Sequence, residues 1–150
     1  MSYKIIEWDA RFMLGFSLFD KQHEKLAQLT NQLYFACLQG SKTANRCFED
    51  ALHEAVAYVK YHFATEEKMM FLLDYPDFST HKKTHESFIK EVLNQSQSFS
   101  ANSHLAPNRF VHYLKDWILS HIAVSDKVMV EFILHNKYHE KLQLLFPKSA

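Results

Sequence analysis

Residues 61–85 read YHFATEEKMMFLLDYPDFSTHKKTH, and in this stretch metal-type side chains stand four apart twice: His62 with Glu66, and His81 with His85. Four residues make about one helical turn, so on an α-helix each pair shares one face, about 6 Å apart along the axis. Asp74-Tyr75-Pro76 stands between the phrases and ends the helix that carries His62 and Glu66, which puts the two pairs on successive helices. Packed face to face, two such helices can grip a buried ion from both sides. Imidazole nitrogen with carboxylate oxygen is a set that suits iron, and also manganese or zinc.

Outward from this stretch the apolar residues keep helical stepping. A first helix is expected from about Phe19 to Leu38, capped by Ser17 and Gly40, with inward stripe Phe19, His23, Leu26, Thr30, Leu33 and Cys37. The second runs from about Thr43 to Leu73 with stripe Phe48, Leu52, Ala55, Val59, His62, Glu66, Met69 and Leu73. A third, capped by Ser79, carries His81, His85, Phe88, Val92, Gln95 and Phe99, and a polar loop follows from Ser100 to His104. Pro107 suits the first turn of a fourth, with stripe Phe110, Leu114, Trp117, His121 and Val124. Short connections between amphipathic helices imply an all-α fold, an up-down-up-down four-helix bundle. It forms a single domain over residues 1–150, with an N-terminal arm (1–18, containing Trp8-Asp9 and Gly15), a bundle (about 19–126) and a C-terminal helical extension (about 127–150).

The 150 residues suffice to bury a core without disulfides. Seventeen Lys and Arg balance 17 Asp and Glu with no basic stripe or polybasic tail, which argues against nucleic-acid and membrane-surface partners. The start lacks a charged segment followed by an apolar run, and no apolar stretch reaches spanning length, so a cytoplasmic location is expected. Cys37 and Cys47 have no CxxC spacing and read as two reduced thiols without a chemical role.

The decisive feature is that His23, His62, Glu66, His81, His85 and His121 all fall on core stripes. A buried carboxylate without a counter-charge costs several kcal/mol or neutralises, and buried imidazoles without partners are also costly. Such a set satisfies itself through something positively charged at its centre, and a metal cluster does so. His53, His104, His112, His135 and His139 lie off the stripes, in a loop or in the tail, and read as solvated.

In order, Asp20-Lys21-Gln22-His23, His62-Phe63-Ala64-Thr65-Glu66, His81 with His85, and His121-Ile122 with Asp126 fill the seven positions of a known di-iron signature. The chain resembles the hemerythrin family, in particular its single-domain bacterial members, over essentially its whole length; residues beyond about Tyr138 extend past the usual end of such a domain. The resemblance implies two non-haem iron ions with an oxo or hydroxo bridge. One is held by His81, His85 and His121, the other by His23 and His62, and Glu66 and Asp126 bridge both. It leaves an open coordination position at the His23/His62 iron, where dioxygen binds reversibly; nitric oxide and other small ligands are further candidates. By their offsets from the ligands, Leu26, Phe63, Trp117 and Ile118 resemble the family's apolar oxygen-pocket wall.

The function so implied is oxygen storage, delivery or sensing without substrate turnover. The alternative is a di-iron enzyme: an oxidase, a peroxidase-like catalyst or a nitric oxide detoxifier. Di-iron oxidases of the ferritin-like type use carboxylate-rich sites with repeated Glu-x-x-His phrases, whereas five histidines and two carboxylates here favour the binder. A sensory module with its partner on another chain is a third reading, and no protein partner is readable from the residues. Finally, Asp126 follows His121 by five positions, which a regular helix would turn about 140° away, so a distortion or helix end is expected between Ile122 and Asp126.

Overall fold

The computed structural model describes residues 3–100 and 106–135, omitting the side chain at position 100. Four helical rods, with no strand among the described residues, form the bundle. The first rod is α1 (Ser17–Leu38); the second joins α2 (Ser41–Tyr58) through a π-helical segment (Val59–Phe63) to α3 (Ala64–Leu72). The third is α4 (Phe78–Ser100), and the fourth joins α5 (Ala106–Trp117) through a longer π-helical segment (Ile118–Asp126) to α6 (Lys127–His135). α1 lies against both α2 and α5, and α4 closes the bundle against α2, α3 and α5.

The ends follow local chemistry, and two differ from the sequence expectation. Ser17 is the first residue of α1 rather than its cap: Phe16 holds that position without a side-chain hydrogen bond. Ser79 likewise lies inside the first turn of α4, which begins at Phe78. Gly40 follows the C-cap Gln39 at φ +114°, a region that favours glycine, and its carbonyl accepts from the Ala44 N–H, so one residue closes α1 and opens α2. The second rod stops with Asp74 at φ 53°, the Tyr75 N–H on the Met70 carbonyl (2.9 Å) and the Asp74 N–H on that of Phe71 (3.4 Å). This is a Schellman closure in which Asp occupies the left-handed position, and Pro76 bars continuation.

The arm packs along the bundle as expected, with Ile6, Phe12 and Leu14 buried and a short 3-10 turn at Ala10–Phe12. The Asn31 side chain accepts from the Ile5 and Ile6 N–H groups and donates to the Ile6 carbonyl; the buried Asp20 carboxylate accepts from Leu14 N–H (2.7 Å) and Gly15 N–H. The loop expected at Ser100 to His104 and the extension beyond His135, with His139, lie outside the described residues apart from Ser100, which ends α4.

Along each rod the apolar stripe is interrupted at the same level. One core cluster holds Leu26, Leu33, Phe48, Phe63, Phe88, Phe110, Leu114 and Ile118; another holds Phe19, Met69, Met70, Leu73, Met129 and Ile133. His23 separates the clusters on α1, Glu66 on the second rod and Asp126 on the fourth. Burial of each large apolar side chain stabilises by roughly 1.5–3 kcal/mol, so these two layers can offset the cost of a polar level between them.

The stripes hold with local departures. Cys37, Leu52, Val59 and Phe99 are half-buried, while Ala51 and Tyr58 are buried instead. Val124, expected inside, is 57% exposed. The cause is the π-helical segment, whose wider i→i+5 turn carries Val124 outward and brings residues five apart onto one face. The distortion expected between Ile122 and Asp126 is this segment. His53, His112 and His135 are exposed.

Candidate metal centre

All seven residues read from the sequence converge at this polar level: His23 from α1, His62 and Glu66 from the second rod, His81 and His85 from α4, and His121 and Asp126 from the fourth rod. None is more than 5% exposed. Their donor atoms form two groups, each within 4.8 Å: Glu66, His81, His85, His121 and Asp126 in one, and His23, His62, Glu66 and Asp126 in the other.

The carboxylates divide their oxygens between the groups. Glu66 Oε1 lies 2.8 Å from His62 Nε2, while Oε2 lies 3.1 Å from His85 Nε2 and 3.4 Å from His81 Nε2. Asp126 Oδ1 faces His121 Nε2 (2.9 Å) and His81 Nε2 (3.0 Å), and Oδ2 faces His23 Nε2 (3.2 Å). His23 Nε2 and His62 Nε2 stand 2.8 Å apart. All five imidazoles therefore turn Nε2 inward.

Proximity here is not satisfaction. Both oxygens of Glu66 and of Asp126, and Nε2 of His81, His85 and His121, complete no hydrogen bond among the described residues despite near-complete burial. Buried polar atoms of folded proteins are overwhelmingly paired, so a cluster aimed at common points without pairing fits a metal-holding role. The charge balance agrees. Burial raises the Glu66 carboxyl, but the His62, His81 and His85 imidazoles overcome this and hold it well below the usual carboxylate range. Burial and the Glu66 charge push Asp126 up, and His121 and His23 reverse the shift to far below normal. Burial lowers His81, yet Asp126 and Glu66 lift it to about 9; for His121 burial prevails and the ring is lowered. Two ionised carboxylates at one buried point need a positive charge, which protonated imidazole supplies or a cation replaces.

Three residues of the site escaped the sequence reading. His62 Nδ1–H donates to Gln22 Oε1, and His85 Nδ1–H donates to Glu67 Oε1 at 3.0 Å. Each bond puts the proton on Nδ1 and leaves Nε2 as the inward donor, the second-layer arrangement typical of metal-ligating histidines. The third is Tyr58, whose ring lies parallel to the His62 imidazole at 4.8 Å. Burial first, then the charges of Asp126 and Glu66, push its hydroxyl well above the ordinary tyrosine value. The available signal for Tyr58 was its place four residues before His62; Gln22 and Glu67 carried only their adjacency to His23 and Glu66.

Leu26, Phe63, Trp117 and Ile118 are all buried. Phe63 stacks on His85 at 3.8 Å and Trp117 on His121 at 4.0 Å, so these two rings lie against the three-imidazole group. Leu26 lines a cleft of about 160 Å³ with Gln22, Leu29, Tyr58, Tyr61 and His62.

Comparison with known proteins agrees with this geometry. The family model described as "Hemerythrin HHE cation binding domain" matches residues 14–133. A hemerythrin-like protein of Naegleria gruberi is 30% identical over 119 residues, covering 79% of this chain and 86% of its own length. A bacteriohemerythrin of Stenotrophomonas maltophilia is 28% identical over 85% of this chain and 80% of its own length, and one of Methylococcus capsulatus 26% identical over 83% and 93%. No helix among the described residues is long and apolar enough to cross a membrane. With the family match spanning all four rods and the buried histidine and carboxylate level between them, the chain belongs to the hemerythrin family.

Proposed function

We propose that this protein binds dioxygen reversibly at a pair of non-haem iron ions, for storage, delivery or sensing and without turning over a substrate. One observation carries the reading: Glu66 and Asp126 each direct one oxygen at the three-imidazole group and the other at the His23/His62 group. Five imidazole nitrogens and four carboxylate oxygens exceed the six positions of one octahedral ion and suit two ions bridged by both carboxylates. On this reading His81, His85 and His121 hold one iron and His23 and His62 the other. Bound there, the pair would supply electrons and a place for a small ligand.

The remaining roles belong to the chain's own residues. Glu66 and Asp126 balance the metal charge, and Gln22 and Glu67 fix the protons of His62 and His85 on Nδ1. Phe63, Trp117, Ile118 and Leu26 exclude water, which protects a bound ligand from protonation and loss. The histidine-rich set favours binding over oxidase chemistry. The test is iron content with the visible spectrum: anaerobically reduced protein should hold two irons per chain and, on exposure to oxygen, develop an absorption band that disappears when oxygen is removed. Protein without iron, or a band lost irreversibly as an added substrate is oxidised, sinks the proposal.

A further inference from the structure

Outside the seven converging residues, few buried side-chain polar atoms lack a hydrogen bond among the described residues, and two of them, Tyr58 Oη and Trp117 Nε1, belong to rings that touch the metal centre. Tyr58 lies over His62, edge-on to Phe63 at 5.2 Å and to Phe88 at 5.9 Å. Trp117 lies over His121, 5.7 Å from Phe63 and 4.5 Å from Phe88. The indole N–H comes near enough to the phenol oxygen to interact with it, yet neither atom completes a hydrogen bond.

An indole nitrogen only donates, whereas a phenol both donates and accepts. Even if Trp117 donates to Tyr58, the phenol proton still has no acceptor among the described residues: besides His62, whose inward nitrogen belongs to the metal centre, the rings beside it are Phe63 and Phe88. A hydroxyl that serves packing alone is better replaced by a ring without one, since a buried unmet donor costs stability. Tyr58 and His62 also line one cleft, which runs beside the site while the hydroxyl itself is buried.

We propose that Tyr58, supported by Trp117, is a hydrogen-bond donor to a small exogenous ligand with lone pairs on its outer atom, lodged beside His62, and so sets which ligands the site retains. Strong acceptors gain from this donor and weak ones do not. The inference rests on the di-iron reading above for the site, and it adds a specificity-determining residue to what there reads as a purely apolar wall.

The experiment compares wild type with Tyr58→Phe, both loaded with ferric iron, with azide as the probe. Iron per chain is measured first, then azide affinity from the visible spectrum and the azide stretching frequency in H₂O and D₂O. The expected result is unchanged iron, azide affinity about 3- to 10-fold weaker in Y58F, and a D₂O shift present in wild type and absent in the variant. Metal-free Y58F should melt at or above the wild-type temperature, since only an unmet donor is removed. Full iron with unchanged azide affinity and no isotope difference overturns this proposal while leaving the di-iron reading intact. A metal-free variant that melts several degrees lower also overturns it, by showing a structural partner for the hydroxyl. Wild type that holds no iron fails the di-iron reading, and this proposal with it.

Discussion

α4 and the fourth rod face each other across the three-imidazole group and deliver their donors by different backbones. α4 is a regular α-helix, in which His81 and His85, four apart, share a face. The fourth rod carries His121 and Asp126 five apart, and they meet only because the chain there is π-helical over Ile118–Asp126. The difference teaches that donor spacing and helix type form one unit: the convergence point is common, and the backbone adjusts to the number of residues between donors. π-Helical turns are rare and cluster at functional sites, as this one does.

The largest effect is expected from inserting one alanine after Ser125. The insertion sets the two donors six apart and, with the π segment kept, turns Asp126, Met129, Val130 and Ile133 about 100° off the core face, so we expect stability to fall on the order of 5 kcal/mol or more and iron to be lost. Denaturant unfolding and metal analysis read both effects; a variant of near wild-type stability with full iron would show that the backbone accommodates six-residue spacing as readily as five. Next, Asp126→Asn and Glu66→Gln keep shape and remove charge. Each is expected to weaken iron retention by more than about 100-fold, since both donor groups lose an anionic oxygen at once. Retention of two irons by either variant would exclude that carboxylate as a bridge.

In the metal-free protein, pH acts oppositely on His81 and on the two carboxylates. His81 in the folded chain sits at about 9, above its unfolded value of 6.5, so its contribution, on the order of 3 kcal/mol, is complete below pH 6.5 and lost as pH rises through 9. Glu66 and Asp126 are lowered, so their contribution is present above their unfolded values near 4 and lost on acidification. His121, lowered, adds stability as pH rises toward 6.5. The melting temperature should therefore peak near pH 6 and decline by pH 9. In iron-loaded protein the alkaline decline should vanish, because the metal requires neutral imidazole. A metal-free melting temperature that climbs from pH 6.5 to 9 contradicts the assignment of His81.

Smaller effects separate the two donor groups. Glu67→Ala should weaken iron binding by about 10- to 100-fold and Gln22→Ala by less, because a carboxylate partner makes imidazole the stronger ligand. Equal losses, read by chelator competition, would remove the distinction. Smallest of all, Gly40→Ala, distant in sequence from both groups and at a φ of +114° with open space around the added carbon, should cost about 1 kcal/mol and leave iron unchanged. A thermal melt reads it.

How much could be read in advance depended on whether a residue repeats with its neighbours. His23, His62, Glu66, His81, His85 and His121 stood out because each replaces an apolar residue on a stripe of helical period, an anomaly visible along one dimension. Val124 was misplaced by the same rule, since a π turn leaves no mark in a periodic count until Asp126 is required to face inward. Ser17 and Ser79 have cap chemistry but stand first and second in their helices rather than before them, since cap propensity fixes a helix start only to within a residue or two. Gln22 and Glu67 were invisible because their roles are contacts between rods: Gln22 to His62 from α1 and Glu67 to His85 from the second rod.

Hydrophobic period and the chemistry of buried imidazole are properties of the chain itself, so the amino-acid order alone determined four amphipathic helices and a polar level that demands a cation. Which oxygen serves which histidine, which ring nitrogens receive a second partner, and that a phenol and an indole stand over the site with hydrogens to give, were decided by the bundle. Most of those relations join residues on different rods, and even where Tyr58 and Trp117 stand four before His62 and His121, only packing sets what else each ring faces.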